Sequence, residues 1–246
     1  MSWHLRPLAA FDLETTGTDP ERDRIVTAAV SVVGASIAGD HRSWFLDPGI
    51  EIPAGATAVH GISTERAQSE GMDARTAVQE ITAILAARLR EGTPVVAFNA
   101  RFDLTILDRE ARRHGLVPLV ERVGGPSGLI VIDPFVLDKH LDRFRPGKRT
   151  LGAVCAHYRI KLEEAHAANS DALAAARVAY RLASVVPELR EADLHSLHAE
   201  QIQWAAEQAA SLQDYFVEMG RPEHVEGAWP IVPMRPRPQE VVALAA

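Results

Sequence analysis

Leu8-Ala9-Ala10-Phe11 runs directly into Asp12-Leu13-Glu14-Thr15-Thr16-Gly17, and this junction of an apolar run with two closely spaced acids constrains the chain most. A strand repeats every two residues, so Asp12 and Glu14 leave the same face at the end of a buried strand. Side-by-side carboxylates repel, and burial penalises their charged forms unless a cation lies between them. Thr15-Thr16-Gly17 has the composition of a tight turn that ends the strand. For this segment taken alone, a strand ending in solvated acids is the plainer alternative.

Two later segments change that balance. Pro94-Val95-Val96-Ala97-Phe98 is a second short apolar run, followed by Asn99-Ala100-Arg101-Phe102-Asp103. Leu104, Leu107 and Ala111 then recur at helical spacing, which places Asp103 where a strand gives way to a helix. His166-Ala167-Ala168-Asn169-Ser170-Asp171 opens an Ala-rich segment with Leu173, Ala176 and Tyr180 on one face. Ser170 is a candidate N-cap, and Asp171 in the first turn suits the positive end of the helix dipole.

The remaining pattern reads as a mixed α/β domain. Leu8–Glu14, Ile25–Val33 and Ser43–Leu46 form three strands joined by short turns; Pro94–Phe98 and Leu129–Ile132 add two, each followed by helical pattern. A loop containing Pro48-Gly49 and Pro53 leads to Val59-His60-Gly61-Ile62. Asp73 to Arg90 is an amphipathic helix with Val78, Ile81, Ile84, Leu85 and Leu89 inward. The expectation is a mixed five-stranded sheet flanked by helices, with acids at the strand ends. Leu194 to Met219 reads as a long helix stopped by Gly220 and Pro222, docked on the domain or on a second copy of the chain.

Composition narrows the class. At 246 residues the chain holds one sizeable core plus an extension. No apolar run approaches the roughly 20 residues that span a bilayer. Arg6 and Pro7 interrupt the start of the chain, so no signal peptide is expected and the cytoplasm is the default location. A single cysteine, Cys155, excludes an internal disulfide and a cysteine zinc cluster. The net charge of −7 argues against a long basic surface for duplex nucleic acid, but not against gripping one terminal nucleotide. One cluster runs the other way: Lys139, Arg143, Arg145, Lys148 and Arg149 surround Pro146-Gly147, a loop able to reach phosphates.

Four carboxylates and a histidine in this order resemble the DEDDh exonucleases, the DnaQ-like 3′–5′ exonuclease family with a ribonuclease H-like fold. Asp12-Leu13-Glu14 matches its first motif, Asn99 through Asp103 its second, and His166 to Asp171 its third. The related tyrosine class is a poorer match, because Ala167 stands where its tyrosine would be. The likeness runs from Leu8 to about Ser184, which divides the chain into an exonuclease domain over 1–187 and an extension over 188–246.

The resemblance implies two Mg²⁺ or Mn²⁺ ions, whose preference for hard oxygen ligands suits this set. By resemblance Asp12 bridges both ions, Glu14 and Asp171 complete the first site, and Asp103 acts on the second ion or behind the first ligands. His166 is the general base, a role open to an imidazole, whose ordinary pKa is about 6.5. Thr15, Thr16, His60, Asn99 and Phe102 are candidates for holding the 3′ end, Phe102 by stacking on a base. Many family members carry His or Tyr where this chain has Phe98, a departure that touches one implied substrate contact and none of the metal ligands.

The implied activity is release of nucleoside 5′-monophosphates from single-stranded DNA 3′ ends, in DNA proofreading or repair. A 3′–5′ exoribonuclease and a non-catalytic nucleic-acid-binding relative are the alternatives. The implied partners are a single-stranded 3′ end, with DNA favoured over RNA, and through the C-terminal helix a second copy or a polymerase or repair protein. A haloacid dehalogenase-type phosphatase fits less well, since it needs Asp where this chain has Glu14.

Overall fold

The computed structural model describes residues 2–34, 40–162 and 167–234. Three strands, β1 (Leu8–Thr15), β2 (Ile25–Val33) and β3 (Asp40–Asp47), form an antiparallel meander. Two short helices follow, α1 (Ala54–His60) and α2 (Thr64–Glu70), then β4 (Met72–Asp73) and the long helix α3 (Ala74–Arg90). Next come β5 (Val95–Val96), α4 (Ala100–Arg113), α5 (Leu119–Arg122), β6 (Val131–Ile132) and α6 (Pro134–Leu141). The chain continues through α7 (Leu151–His157), α8 (Ala168–Val185), α9 (Pro187–Glu191) and α10 (Leu194–Glu218).

The sheet has six strands in the order β4-β3-β2-β1-β5-β6, one more than the sequence pattern implies. The additional strand, β4, is two residues paired parallel with Leu46 and Asp47, too short to leave an apolar signature. Its second residue, Asp73, doubles as the N-cap of α3 by accepting Thr76 N–H at 2.8 Å. β5 and β6 are shorter than expected at two residues each, and both run parallel to β1. The stretch between β3 and β4, expected as a loop, folds into α1 and α2, with Gly61 left-handed at φ 77° closing α1.

Alternation along β1 distributes the core over both faces. Phe11 and Leu13 pack with Ile81 and Leu85 of α3 and with Leu104 and Leu107 of α4. The opposite parity carries Leu8, which joins Val96, Ile132, Val178 and Leu182 under α8. Ala10, of that second parity, meets Ala172 and Ala176 of α8. Small residues on both sides let α8 lie close to the sheet, directly beside Asp12 and Glu14.

Helix α10 covers the open edge of the sheet. β6 is an edge strand, and an uncovered edge presents unpaired backbone groups. From α10, His198 Nδ1 accepts Val131 N–H at 3.1 Å and Gln201 Oε1 accepts Asp133 N–H at 2.7 Å. Gln201 Nε2 donates to Val131 O at 3.0 Å, and the residue is fully buried. Trp229, on the segment returning from α10, enters the main core. Among the described residues no helix is long and apolar enough to cross a membrane.

Candidate active site

Asp12 and Glu14 stand on the α8 side of β1, and a register shift between Glu14 and Thr15 bends the strand just past them. Asp171 sits in the first turn of α8, 9 % exposed. One carboxylate oxygen from each of Asp12, Glu14 and Asp171 falls within a group whose members all lie within 4.8 Å of one another. The helix begins earlier than the sequence suggests: Ala167 is its N-cap, and Ser170 lies inside the first turn. Asp171 is therefore held by helical backbone and by the alanine contact to β1.

Asp103 comes from the other face, in the first turn of α4, 4 % exposed. Because β5 stops at Val96, the flank of β1 beyond Ala10 has no strand partner there. Asp103 Oδ1 fills that gap by accepting Leu13 N–H at 3.2 Å. The carboxylate thus takes the place of a missing ladder bond between Asp12 and Glu14.

Charge is expensive in this cluster. Burial, then Asp103, Asp171 and Glu14, push the Asp12 carboxyl well above the usual carboxylate range. Burial and then Asp171 push Glu14 up to about 7. Asp103 is also raised, burial outweighing the N–H bonds it accepts. Repelling carboxylates on fixed elements, all offering hard oxygen donors, fit a divalent cation that takes oxygen ligands.

The other sequence candidates occupy varied settings. His60 ends α1; its Nδ1 accepts Ile62 N–H at 3.2 Å, and its pKa is lowered by burial against the pull of the Thr15 carbonyl. Thr15 Oγ1 donates to Gly17 O at 2.7 Å. Thr16 is 1 % exposed, and its groups are committed within the turn: N–H to Arg24 O, hydroxyl to Asp23 Oδ1, and Oγ1 accepting Arg24 N–H. These bonds give Thr16 a part in shaping the β1–β2 turn beside the candidate site. Phe102 packs half-buried against the main core. Asn99 caps α4 in a left-handed conformation, φ 61° and ψ 45°, without a side-chain cap bond. His166 lies outside the described residues.

The basic loop is also revised. Asp138, fully buried, takes Arg145 through two bonds of 2.7 and 2.5 Å, Arg149 at 2.7 Å and Tyr158 at 2.9 Å. Two of the five expected phosphate ligands are thus internal struts. Arg143 donates to Ser211 Oγ at 2.9 Å and lies over the Phe144 ring. Lys139 is 5.0 Å above the Phe135 ring.

One buried acid near the site escapes sequence reasoning. Asp133, 1 % exposed at the end of β6, accepts backbone N–H bonds from both Asn99 and Ala100 at 2.9 Å. The available signal was an acid between a strand pair and Pro134, the composition of a helix N-cap at a strand end.

A mixed sheet with an antiparallel meander and acids converging at the strand ends from β1, α4 and α8 defines a nuclease-type member of the ribonuclease H-like class. The chain belongs to the DnaQ-like exonuclease family: the RNase T exonuclease profile matches residues 9–179. It is 28% identical over 181 residues to the PolC-type DNA polymerase III of Streptococcus agalactiae, covering 73% of this chain and 11% of that protein. Over 106 residues it is 41% identical to a DNA polymerase III subunit epsilon-like protein of Rhodobacter capsulatus, covering 41% of this chain and 14% of the relative. Among solved structures, E. coli exonuclease I in complex with a dT13 oligonucleotide superposes with a TM-score of 0.65 at 19% identity, over 74% of this chain and 42% of that one. Exonuclease I of Methylocaldum szegediense gives 0.61 at 22% identity over 85% and 45%. At these identities the structural likeness establishes the fold. The chain spans little more than a tenth of the polymerase relatives and under half of the exonuclease I chains.

Proposed function

We propose that the protein is a metal-dependent 3′–5′ exonuclease that removes nucleoside 5′-monophosphates from single-stranded DNA. The observation that carries this reading is the convergence of Asp12, Glu14 and Asp171 within 4.8 Å, with Asp103 bonded to the strand between the first two. Two Mg²⁺ or Mn²⁺ ions would be held by Asp12, Glu14, Asp103 and Asp171. Bound there, such ions lower the pKa of water and neutralise charge on the attacking and leaving oxygens.

The chain's own residues then orient the reaction. A water oxygen attacks the last phosphorus, and the bond from that phosphorus to the preceding 3′-oxygen breaks. His166, five residues before Asp171 on the approach to α8, takes the water's proton. His60, Thr15, Thr16, Asn99 and Phe102 would border the terminal nucleotide. DNA is favoured over RNA because the polymerase III relatives and the oligonucleotide-bound exonuclease I act on or bind DNA by name. Association with a polymerase or repair protein, or with a second copy through α10, extends the same reading.

Matched 5′-labelled DNA and RNA oligomers digested with Mg²⁺ and with Mn²⁺ test it directly. The expected result is a ladder shortening from the 3′ end, faster on DNA, with 5′-monophosphates released. Cleavage from the 5′ end, or release of 3′-monophosphates, overturns the proposal. Faster shortening of RNA leaves the chemistry and replaces the substrate.

A further inference from the structure

Helix α4 begins in an unusual way. Asn99 is a non-glycine residue in left-handed backbone, and its side chain leaves the first N–H groups of the helix uncapped. Asp133 supplies the cap from the neighbouring strand. Its Oδ1 accepts Asn99 N–H at 2.9 Å and Phe135 N–H at 3.0 Å. Its Oδ2 accepts Ala100 N–H at 2.9 Å and Trp229 Nε1–H at 3.1 Å. An ionised carboxylate offers about four acceptor sites, so all are filled. One buried group therefore caps α4 and α6 together and ties both to the segment that returns from α10.

Asp103 lies four residues after Asn99, one turn along the helix that this cap anchors. The backbone of Asp133 is fixed in turn by Gln201 Oε1, which accepts its N–H at 2.7 Å. Every link from the C-terminal extension to Asp103 is a hydrogen bond or a helical turn. Sites of this kind need their ligands held to within about 0.5 Å.

We propose that Asp133 is a positioning residue for Asp103, and that Trp229 makes the C-terminal return segment part of the same device. Loss of the cap frees Asn99 to relax from its left-handed conformation, the first turn of α4 shifts, and Asp103 leaves its bond to Leu13. The consequence for turnover rests on the exonuclease reading above; the consequence for cation binding does not.

Two variants of the full chain test this. Asp133→Asn keeps the shape but turns an NH₂ group toward N–H donors. Trp229→Phe removes only the indole donor and keeps a ring in the core. For each, circular dichroism and melting in chelator report folding, calorimetric titration with Mn²⁺ reports cation binding without substrate, and oligonucleotide hydrolysis gives kcat and KM. Replacing a residue that orients a metal ligand costs about 10–100-fold in affinity or activity. Folded Asp133→Asn is expected to lose that much in kcat and in Mn²⁺ affinity, with KM within about threefold of the original. Trp229→Phe is expected to fall in the same two quantities by a smaller factor. A folded Asp133→Asn with unchanged Mn²⁺ affinity and kcat overturns the proposal. If Asp133→Asn does not fold, Trp229→Phe decides, and unchanged values there overturn it. If the unaltered protein binds Mn²⁺ but cleaves no oligonucleotide, the exonuclease reading fails while the affinity comparison still decides the positioning role.

Discussion

Asp12→Asn replaces a carboxyl whose ionised form is opposed both by burial and by three neighbouring carboxylates. In the metal-free protein the Asp12 carboxylate is opposed by burial and by Asp103, Asp171 and Glu14, so a neutral amide of the same shape leaves the fold intact or firmer. In the presence of a cation the order reverses. A ligand at 100 times its dissociation constant stabilises the folded state by about 2.7 kcal/mol. For chains of this size about 1 kcal/mol moves the melting temperature by roughly 2–4 °C, so saturating Mn²⁺ should raise that of the unaltered protein by about 5–11 °C. The variant should melt at or above the original temperature in chelator and show little of the Mn²⁺-dependent rise. Oligonucleotide hydrolysis should fall by more than about 100-fold, beyond the usual loss for a residue that only supports a ligand. Differential scanning fluorimetry with and without Mn²⁺, alongside the gel assay, reads both quantities. A full Mn²⁺-dependent rise in Asp12→Asn, or hydrolysis within a few-fold of the original, refutes the metal-ligand assignment.

Three further outcomes are expected. With Glu14 pushed up from its ordinary 4.5 to about 7 by burial and Asp171, the folded metal-free chain keeps a proton that the unfolded chain releases at about the ordinary value. This group's contribution to stability is therefore lost as pH rises from about 4.5 to 7; Glu14→Gln should flatten that part of the melting profile, and an unchanged profile refutes the assignment. Removing one partner of a buried ion pair costs about 3–5 kcal/mol, so Asp138→Ala, which strands Arg145 and Arg149, should show a loss of that order in urea unfolding; a loss below about 1 kcal/mol would mean the clamp is solvated. General-base loss lowers rate by about 10²–10⁴-fold, so His166→Asn should lose that much turnover while binding an oligonucleotide normally in Ca²⁺, and retention of most activity removes His166 from the chemistry.

The acids were legible in the sequence because each sits at a boundary with a strong local signature. Asp12 and Glu14 follow an apolar run with strand periodicity, while Asp103 and Asp171 open helices with clear apolar faces. Strand lengths were less legible. Val95-Val96 and Val131-Ile132 are the only paired residues of apolar runs whose flanks look equally strand-like. The basic loop misled because composition reports charge but not its partner: Asp138, buried in α6, sits seven residues before Arg145 and eleven before Arg149. The bonds of Thr16 were hidden for a related reason, since sequence reveals a hydroxyl beside a site but not that Asp23 and Arg24 bond to it.

Asp133 was hidden because its role is defined by what it receives rather than by its own neighbours in sequence. Of the four N–H groups it accepts, only that of Phe135 is local; the others are contributed by residues 34 and 33 positions earlier and by an indole 96 positions later. This long reach reveals how the site is assembled. Asp171 is placed by alanines that admit α8 to the sheet, a contact that depends on shape alone. Asp103 is placed by a polar cap that depends on a charged group staying dry and fully bonded. The alanine contact does not include Trp229, although α8 also packs with Leu189 of α9 and Leu197 of α10. The cap does include the C-terminal side, since Trp229 and Gln201 close it there. The two halves of the acidic cluster therefore differ in what can disturb them, and a perturbation of the C-terminal segment should reach Asp103 before it reaches Asp12, Glu14 or Asp171.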